Sequence, residues 1–286
     1  MAKTLLSRTP AVSKSSGFQG DHKVALHDRF LSKRWRWLRG WILPITLVIA
    51  WEILSRVVFF PPNLLPAPTA VLETLWQLIT SGEIFPHIGI TLYRVALGFL
   101  LGSAIATILG ALTGYSPFLH DLFDPLFQSL RNIPSLAWVP LFILWMGIYE
   151  TSKIVLIAVG VFFPTYLNLM SGVQQVDRKL VEVGKIYRLN AWQLIRRVFL
   201  PATLPAYIVG LRSGLGLGWM FVVAAEIMGA SQGLGFLLVD GQSTGRPTII
   251  LVSILLFAIL GKLTDAILAA IGHKLLYWQD THHSAT

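Results

Sequence analysis

At 286 residues, 54% hydrophobic and only 13% charged, with a mean hydropathy of +0.65, the chain is too apolar for a soluble domain, which carries about 25% charged residues. Its net charge of +9 is not a nucleic-acid-binding surface, because the excess sits in two places: nine Lys and Arg before Trp41 and six between Arg178 and Arg197, the pattern of cytoplasmic loops in a membrane protein. The absence of Cys excludes a disulfide framework and any thiolate metal or redox site.

In lipid every backbone polar group must be satisfied within the chain, which leaves helices or a closed barrel. Long apolar runs without period-2 alternation select helices, so the expected fold is all-α with about six transmembrane helices. Residues 1–40 form a basic tail. Trp41 to Phe60 is the first span, longer than the about 7 to 15 apolar residues of a signal-peptide core, and is read as retained. Residues 61–90 form a connector in which Pro61, Pro62, Pro66 and Pro68 stop the first helix. Within it Val71, Leu75, Leu78 and Ile79 predict a short interfacial helix over Ala70 to Ile79.

A core over residues 91–271 follows. Its spans are Thr91 to Gly114, Leu122 to Met146, Ile154 to Met170, Thr203 to Gly229 and Pro247 to Ile271, near the about twenty residues that cross a bilayer. Pro125, Pro134 and Pro140 predict kinks or a break in the third span of the chain. Gly98, Gly102 and Gly110, and again Gly210, Gly214 and Gly218, put small residues on one helix face and predict close helix packing. The loops at 61–90, around Glu150 and around Asp240 carry at most one Lys or Arg and belong outside. Both termini, including the tail over residues 272–286, and the 178–197 segment belong in the cytoplasm.

That polar segment is organised. Leu180, Val183, Gly184 and Tyr187 fall at i, i+3, i+4 and i+7, opposite Arg178, Lys179, Glu182 and Lys185. A second short helix carries Trp192, Ile195 and Phe199 on one face and Arg196 and Arg197 on another, and Pro201 ends it. Joined near Asn190, the two make a rigid projection that another protein could grip.

Glu182-Val183-Gly184, then Arg188, then Val198-Phe199-Leu200-Pro201 resembles the cytoplasmic loop of ABC importer permeases: Glu-Ala-Ala, three residues, Gly, nine residues, Ile, any residue, Leu-Pro. Val183 and Gly184 replace the two alanines, and Arg188 stands where the family has Gly. If Arg188 continues the first helix, Asn190 is the next residue tolerant of a left-handed conformation, so the turn is expected about two residues late. Leu64-Leu65-Pro66-Ala67-Pro68, Ser129-Leu130-Arg131-Asn132-Ile133-Pro134, the run from Pro140 to Ile148 and Leu260-Gly261-Lys262-Leu263-Thr264-Asp265 extend the resemblance from about Trp41 to Trp278. They resemble the permeases of the aliphatic-sulfonate, taurine, nitrate and bicarbonate importers, the aliphatic-sulfonate member most.

The resemblance implies a type I importer permease of a bacterial inner membrane. Its coupling loop over residues 178–201 would dock on an ATPase through Glu182, Val183, Gly184, Tyr187, Arg188, Leu189, Leu200 and Pro201. Two ATPase subunits, a second permease copy and an extracytoplasmic substrate-binding protein are the implied partners. The chain itself has no phosphate loop, since Gly184-Lys185 is followed by Ile186 and Gly261-Lys262 by Leu263. ATP and Mg are therefore expected on the ATPase, and no cofactor on this chain.

Ionisable groups within spans are costly and face the bundle interior or water. Here they are Glu52, Arg56, Arg94, Arg131, Arg212, Glu226, Lys262 and Asp265. Glu52 and Arg56 are spaced to pair on one helix face, as are Lys262 and Asp265. Arg94 and Arg131, read as lying near span ends, would either lead an anion or anchor at the interface. Glu226, deep in its span, is expected to accept hydrogen bonds from a neighbouring helix or from Gly233-Leu234-Gly235. The candidate translocation path comprises Arg131, Asn132, Ser135, Asn168, Arg212 and Glu226. Seven scattered His residues show no metal-ligand spacing, and no nucleophile and base pair marks an enzyme. A self-sufficient ion-coupled carrier, with Glu226 and Asp265 as coupling sites, is the alternative, though no internal repeat of spans supports it.

Overall fold

The computed structural model describes residues 42–57 and 64–278 and divides at Phe60 into two units. The basic tail, the ends of the first span at 41 and 58–60, Pro61, Pro62 and residues 279–286 lie outside the described residues. In the first unit, helix α1 runs over residues 42–56. Arg56 pairs with Glu52 along it, as their spacing predicts.

The second unit is helical throughout its described elements. α2, Pro68–Thr80, is the expected connector helix; Pro68 opens it where a missing N–H costs nothing. α3, Ile84–Tyr115, α6, Glu150–Gln174, and α11, Pro247–Leu275, run past the ends of the apolar windows. Hydropathy marks the depth of hydrocarbon, whereas the backbone ladder continues into the interface. α9, Leu200–Ile227, is preceded without interruption by α8, Ala191–Leu194, and a π turn over Ile195–Phe199. Four helices among the described residues are long and apolar enough to cross a membrane: 84–115, 150–174, 191–227 and 247–275.

The third span is broken rather than bent. α4, Pro117–Leu130, and α5, Ser135–Met146, are separated by a turn at 131–134. Pro125 and Pro140 are tolerated inside these helices, while Pro134, extended at φ −55° and ψ 141°, makes the break. A proline ring disfavours helical geometry in the residue before it and has no N–H for the ladder.

α6 lies between two glycine faces, which sets the register of the bundle. Along α3, Gly98 meets Ile157, Gly102 meets Ala158, Gly110 meets Tyr166 and Gly114 meets Val173, so the two helices run parallel. Along α9, Gly210 meets Asn168, Gly214 meets Thr165 and Gly218 meets Val161, so α9 runs antiparallel. The predicted small-residue faces thus pack within this chain. Leu156, Ile157 and Val161 join Val95, Leu215, Trp219 and Val222 in the main apolar cluster.

Residues 230–246 read as an outer loop in the sequence, but α10, Leu234–Ser243, forms there after a turn at Gly233, φ +128°. Its Leu234 and Leu237 pack with Val71, Ile84, Val252 and Leu256 in a second cluster. Given the register of α3, α6 and α9, Arg94, Glu150 and Glu226 gather at one end of the bundle. The connection from Gln174 to Leu200, with α7, Arg178–Ile186, lies at the other.

Candidate functional site

The α7–α8 hairpin forms from caps. The Asp177 carboxylate accepts the Lys179 N–H to start α7, and Asn190 and Gln193 exchange side-chain and backbone hydrogen bonds in a capping box that starts α8. Between them the Leu189 N–H donates to the Gly184 carbonyl and the Arg188 N–H to the Lys185 carbonyl. This paired closure requires a left-handed residue after the helix cap. Arg188 supplies it at φ 53°, the one non-glycine at positive φ among the described residues. The turn is therefore not displaced to Asn190: Arg188 takes the glycine's conformation, and Asn190, extended at ψ 168°, is engaged as a cap.

Pro201 likewise does not end the second helix. The Leu200 N–H reaches back to the Ile195 carbonyl, a π turn, and Pro201 occupies the first turn of α9. Gly184 is buried, and a Cβ there would press on the end of the Leu194 side chain, so α7 and α8 pack closely at this point. Glu182 and Leu200 are exposed, and Leu189 is half-buried. Leu180, Val183, Tyr187, Val198, Pro201 and Trp278 line an open groove of about 620 Å³. Trp278, just past α11, is a member that sequence reading missed; no local periodicity points to it.

A cavity of about 360 Å³ opens at the break between α4 and α5, bounded by Arg131, Asn132, Trp138, Phe163, Leu217 and Met220. Phe163 lies midway along α6, so Arg131 stands at the junction of two half-helices within the bundle and not at a span end. Ser135 opens α5, and its side chain lies outside the described residues. Asn168 is elsewhere: it donates to the Pro164 carbonyl at 2.8 Å and packs on Gly210. Arg212 is also away from the cavity wall, in a two-pronged pair with Asp265, Nε to Oδ1 at 2.8 Å and Nη2 to Oδ2 at 2.9 Å. Asp265 thus pairs across helices, not with Lys262, because a fork of two N–H groups fits a carboxylate better than a single ammonium.

At the other end of the bundle Arg94 is buried, which overturns its reading as an interface anchor. Its Nη1 donates to Glu226 Oε1 and to the Gln232 carbonyl, each at 2.7 Å, while Nε and Nη2 clasp the Glu150 carboxylate, each at 2.7 Å. Glu226 also accepts from Thr91 Oγ1 and from the Gly235 N–H, both at 2.8 Å. Its expected link to the Gly233–Gly235 segment is present. The Thr91 hydroxyl receives the Leu234 N–H, and the His87 ring, stacked on Phe236, receives the Gly233 N–H. Buried Lys153 reaches Glu150 and the Ile148 carbonyl. Two cations and two carboxylates leave the cluster neutral. Thr91, Glu150, Lys153 and His87 were not legible as members.

Residues 83–277 match the family described as "Binding-protein-dependent transport system inner membrane component". The chain is 40% identical over 87% of its length, and 91% of the relative's, to a Bacillus subtilis (strain 168) protein named as an aliphatic sulfonates transport permease. It is 38% identical over 85% of its length, and 92% of the relative's, to an Escherichia coli (strain K12) protein of the same description. It is 31% identical over 88% of its length, and 95% of the relative's, to the taurine transport system permease protein of that strain. Family membership implies an ATPase and a substrate-binding protein as partners. By these matches the chain belongs to the inner membrane components of binding-protein-dependent transport systems and is a permease subunit of an ABC importer.

Proposed function

We propose that this permease carries small aliphatic sulfonates. The observation that carries the reading is the cavity at the helix break, where Arg131 and Asn132 stand among Trp138, Phe163, Leu217 and Met220. A guanidinium beside aromatic and aliphatic walls fits an anion that has a short apolar tail: charge-assisted hydrogen bonds hold the oxygens, and the walls take the alkyl group. Nitrate, taurine or bicarbonate are the competing cargoes, and nitrate would leave the apolar walls without a role.

In this reading two copies of the chain form the path, two ATPase subunits bind ATP and Mg, and an extracytoplasmic protein delivers the anion. The hairpin over residues 178–201 and both termini face the cytoplasm, and the chain contributes no cofactor. Glu182, Val183, Gly184, Tyr187, Arg188, Leu189, Leu200 and Pro201 transmit ATPase closure to α9, since α8 continues into α9 without a flexible joint. Of the remaining path candidates, Glu226 fixes the far end of α9 and Asn168 packs the bundle. An ion-coupled carrier is disfavoured because Glu226 and Asp265, its coupling carboxylates, are both engaged by arginines.

The test is competition for ATP-dependent uptake in proteoliposomes holding permease, ATPase and binding protein. An excess of ethanesulfonate or butanesulfonate should suppress uptake of labelled alkanesulfonate, and an excess of nitrate should not. Suppression by nitrate and not by sulfonates would reverse the assignment.

A further inference from the structure

The Arg212–Asp265 pair joins two membrane-long helices, α9 and α11, yet its side chains are 45% and 30% exposed. Among the described residues the other interhelical pairs between spans share Arg94, whose side chain is 2% exposed: its partner Glu226 is 0% exposed, and Glu150, the first residue of α6, is 46% exposed. An ion pair facing hydrocarbon is expensive, so an open one within spans faces water or protein.

The exposed face that holds the pair continues along α9 towards the Arg131 cavity, with Val209 as well as Ser213 and Gly216 open on it. Arg212, Gly216 and Met220 succeed one another at intervals of four on α9 and so form one stripe, and Met220 is a wall of the Arg131 cavity. Ser213 and Gly216 are exposed, and a Cβ at Gly216 would meet nothing within 4 Å. The pair and the cavity are thus two places on one open face.

We propose that Arg212 is a second oxyanion station on the translocation route, occupied between turnovers by the Asp265 carboxylate in place of the cargo. This rests on the oxyanion reading above. A sulfonate offers the guanidinium fork two oxygens as Asp265 does, so cargo and carboxylate compete for the same two donors. Asp265 is then a positioning residue: it keeps the fork extended and ensures that the anion is not held too tightly to leave. Lys262, exposed three residues earlier on α11, is placed to receive the displaced carboxylate.

The test uses the permease–ATPase complex, reading direct binding of labelled anion without binding protein, and uptake at saturating loaded binding protein. Whichever anion the wild-type complex carries is the probe, so failure of the sulfonate assignment is separate from failure of this one. Asp265→Asn should bind the anion at least fivefold tighter and transport it more slowly. Arg212→Lys, which keeps the charge and loses the fork, should bind at least fivefold weaker. The double exchange R212D/D265R should assemble with the ATPase and transport less than a tenth as fast. Unchanged binding in both single variants would overturn the proposal; if Asp265→Asn fails to fold, unchanged binding in Arg212→Lys alone does so. Near-normal transport by the exchange variant would make the pair structural only, and loss of permease self-association in it would make this face a subunit contact. Either result overturns the proposal.

Discussion

Arg94 and Glu226 are 132 residues apart in the chain and 2.7 Å apart in space. Both side chains are shut off from solvent, and the contact ties the start of α3 to the end of α9. Glu226 is further held by Thr91 and the Gly235 N–H, so the segment that enters α10 is fixed by the same carboxylate.

Glu226→Gln should lower stability by about 3 kcal/mol, because it removes the wholly buried carboxylate and leaves buried Arg94 and Lys153 with Glu150 as their one remaining counter-charge in the cluster. Glu150→Gln should cost about 1 kcal/mol or less, since the Glu150 side chain is 46% exposed and water screens its pair with Arg94. Thermal unfolding of the purified permease in detergent compares the two. Equal shifts would contradict the assignment of Glu226 as the anchor.

Gly102→Leu should destabilise by about 3 kcal/mol or more, because the new Cβ would overlap the Ala158 backbone of the parallel helix α6. Gly89→Ala, on the same helix with nothing within 4 Å, should be neutral or stabilising by up to about 1 kcal/mol through helix propensity. Yield and melting temperature of the two variants provide the check.

Arg188→Gly should stabilise the hairpin by about 1 kcal/mol, removing the cost of a side chain at positive φ. Asn190→Ala should cost about 1 kcal/mol through loss of the capping box. A melting temperature that falls in Arg188→Gly would show that the side chain makes a contact worth more than its strain.

Much of this was legible in local patterns. The amphipathic spacing of Leu180, Val183 and Tyr187 places α7, Pro125, Pro134 and Pro140 predict a kink or break in the third span without telling which of them makes it, and the glycines of α3 and α9 mark the faces that close on α6. Residue preference alone puts the turn at Asn190 and not at Arg188. Asn190 followed three residues later by Gln193 is a helix-start signature, which already assigns Asn190 to a cap and leaves the left-handed place to Arg188. Of the Arg94 cluster, the link from Glu226 to the Gly233–Gly235 segment follows from the sequence; the other members come from α3 and α6, and only tertiary packing brings them together. Asp265 was paired with its near neighbour Lys262 for the same reason, since spacing along one helix says nothing about Arg212 on another.

Gly184→Trp should separate α7 from α8 by filling the space against Leu194. The bundle, whose core lies at α3, α6 and α9, should keep its melting temperature within a few degrees, while ATPase recovered by co-purification falls about tenfold or more.

The measurement that bears most directly on the central claim is ATP-dependent uptake of a labelled alkanesulfonate into proteoliposomes containing permease, ATPase and binding protein, compared between the wild-type chain and Gly184→Trp. Uptake should require nucleotide and both partners, and should be lost in Gly184→Trp with the bundle intact. Uptake by the permease alone without nucleotide, or undiminished uptake through Gly184→Trp, would contradict it.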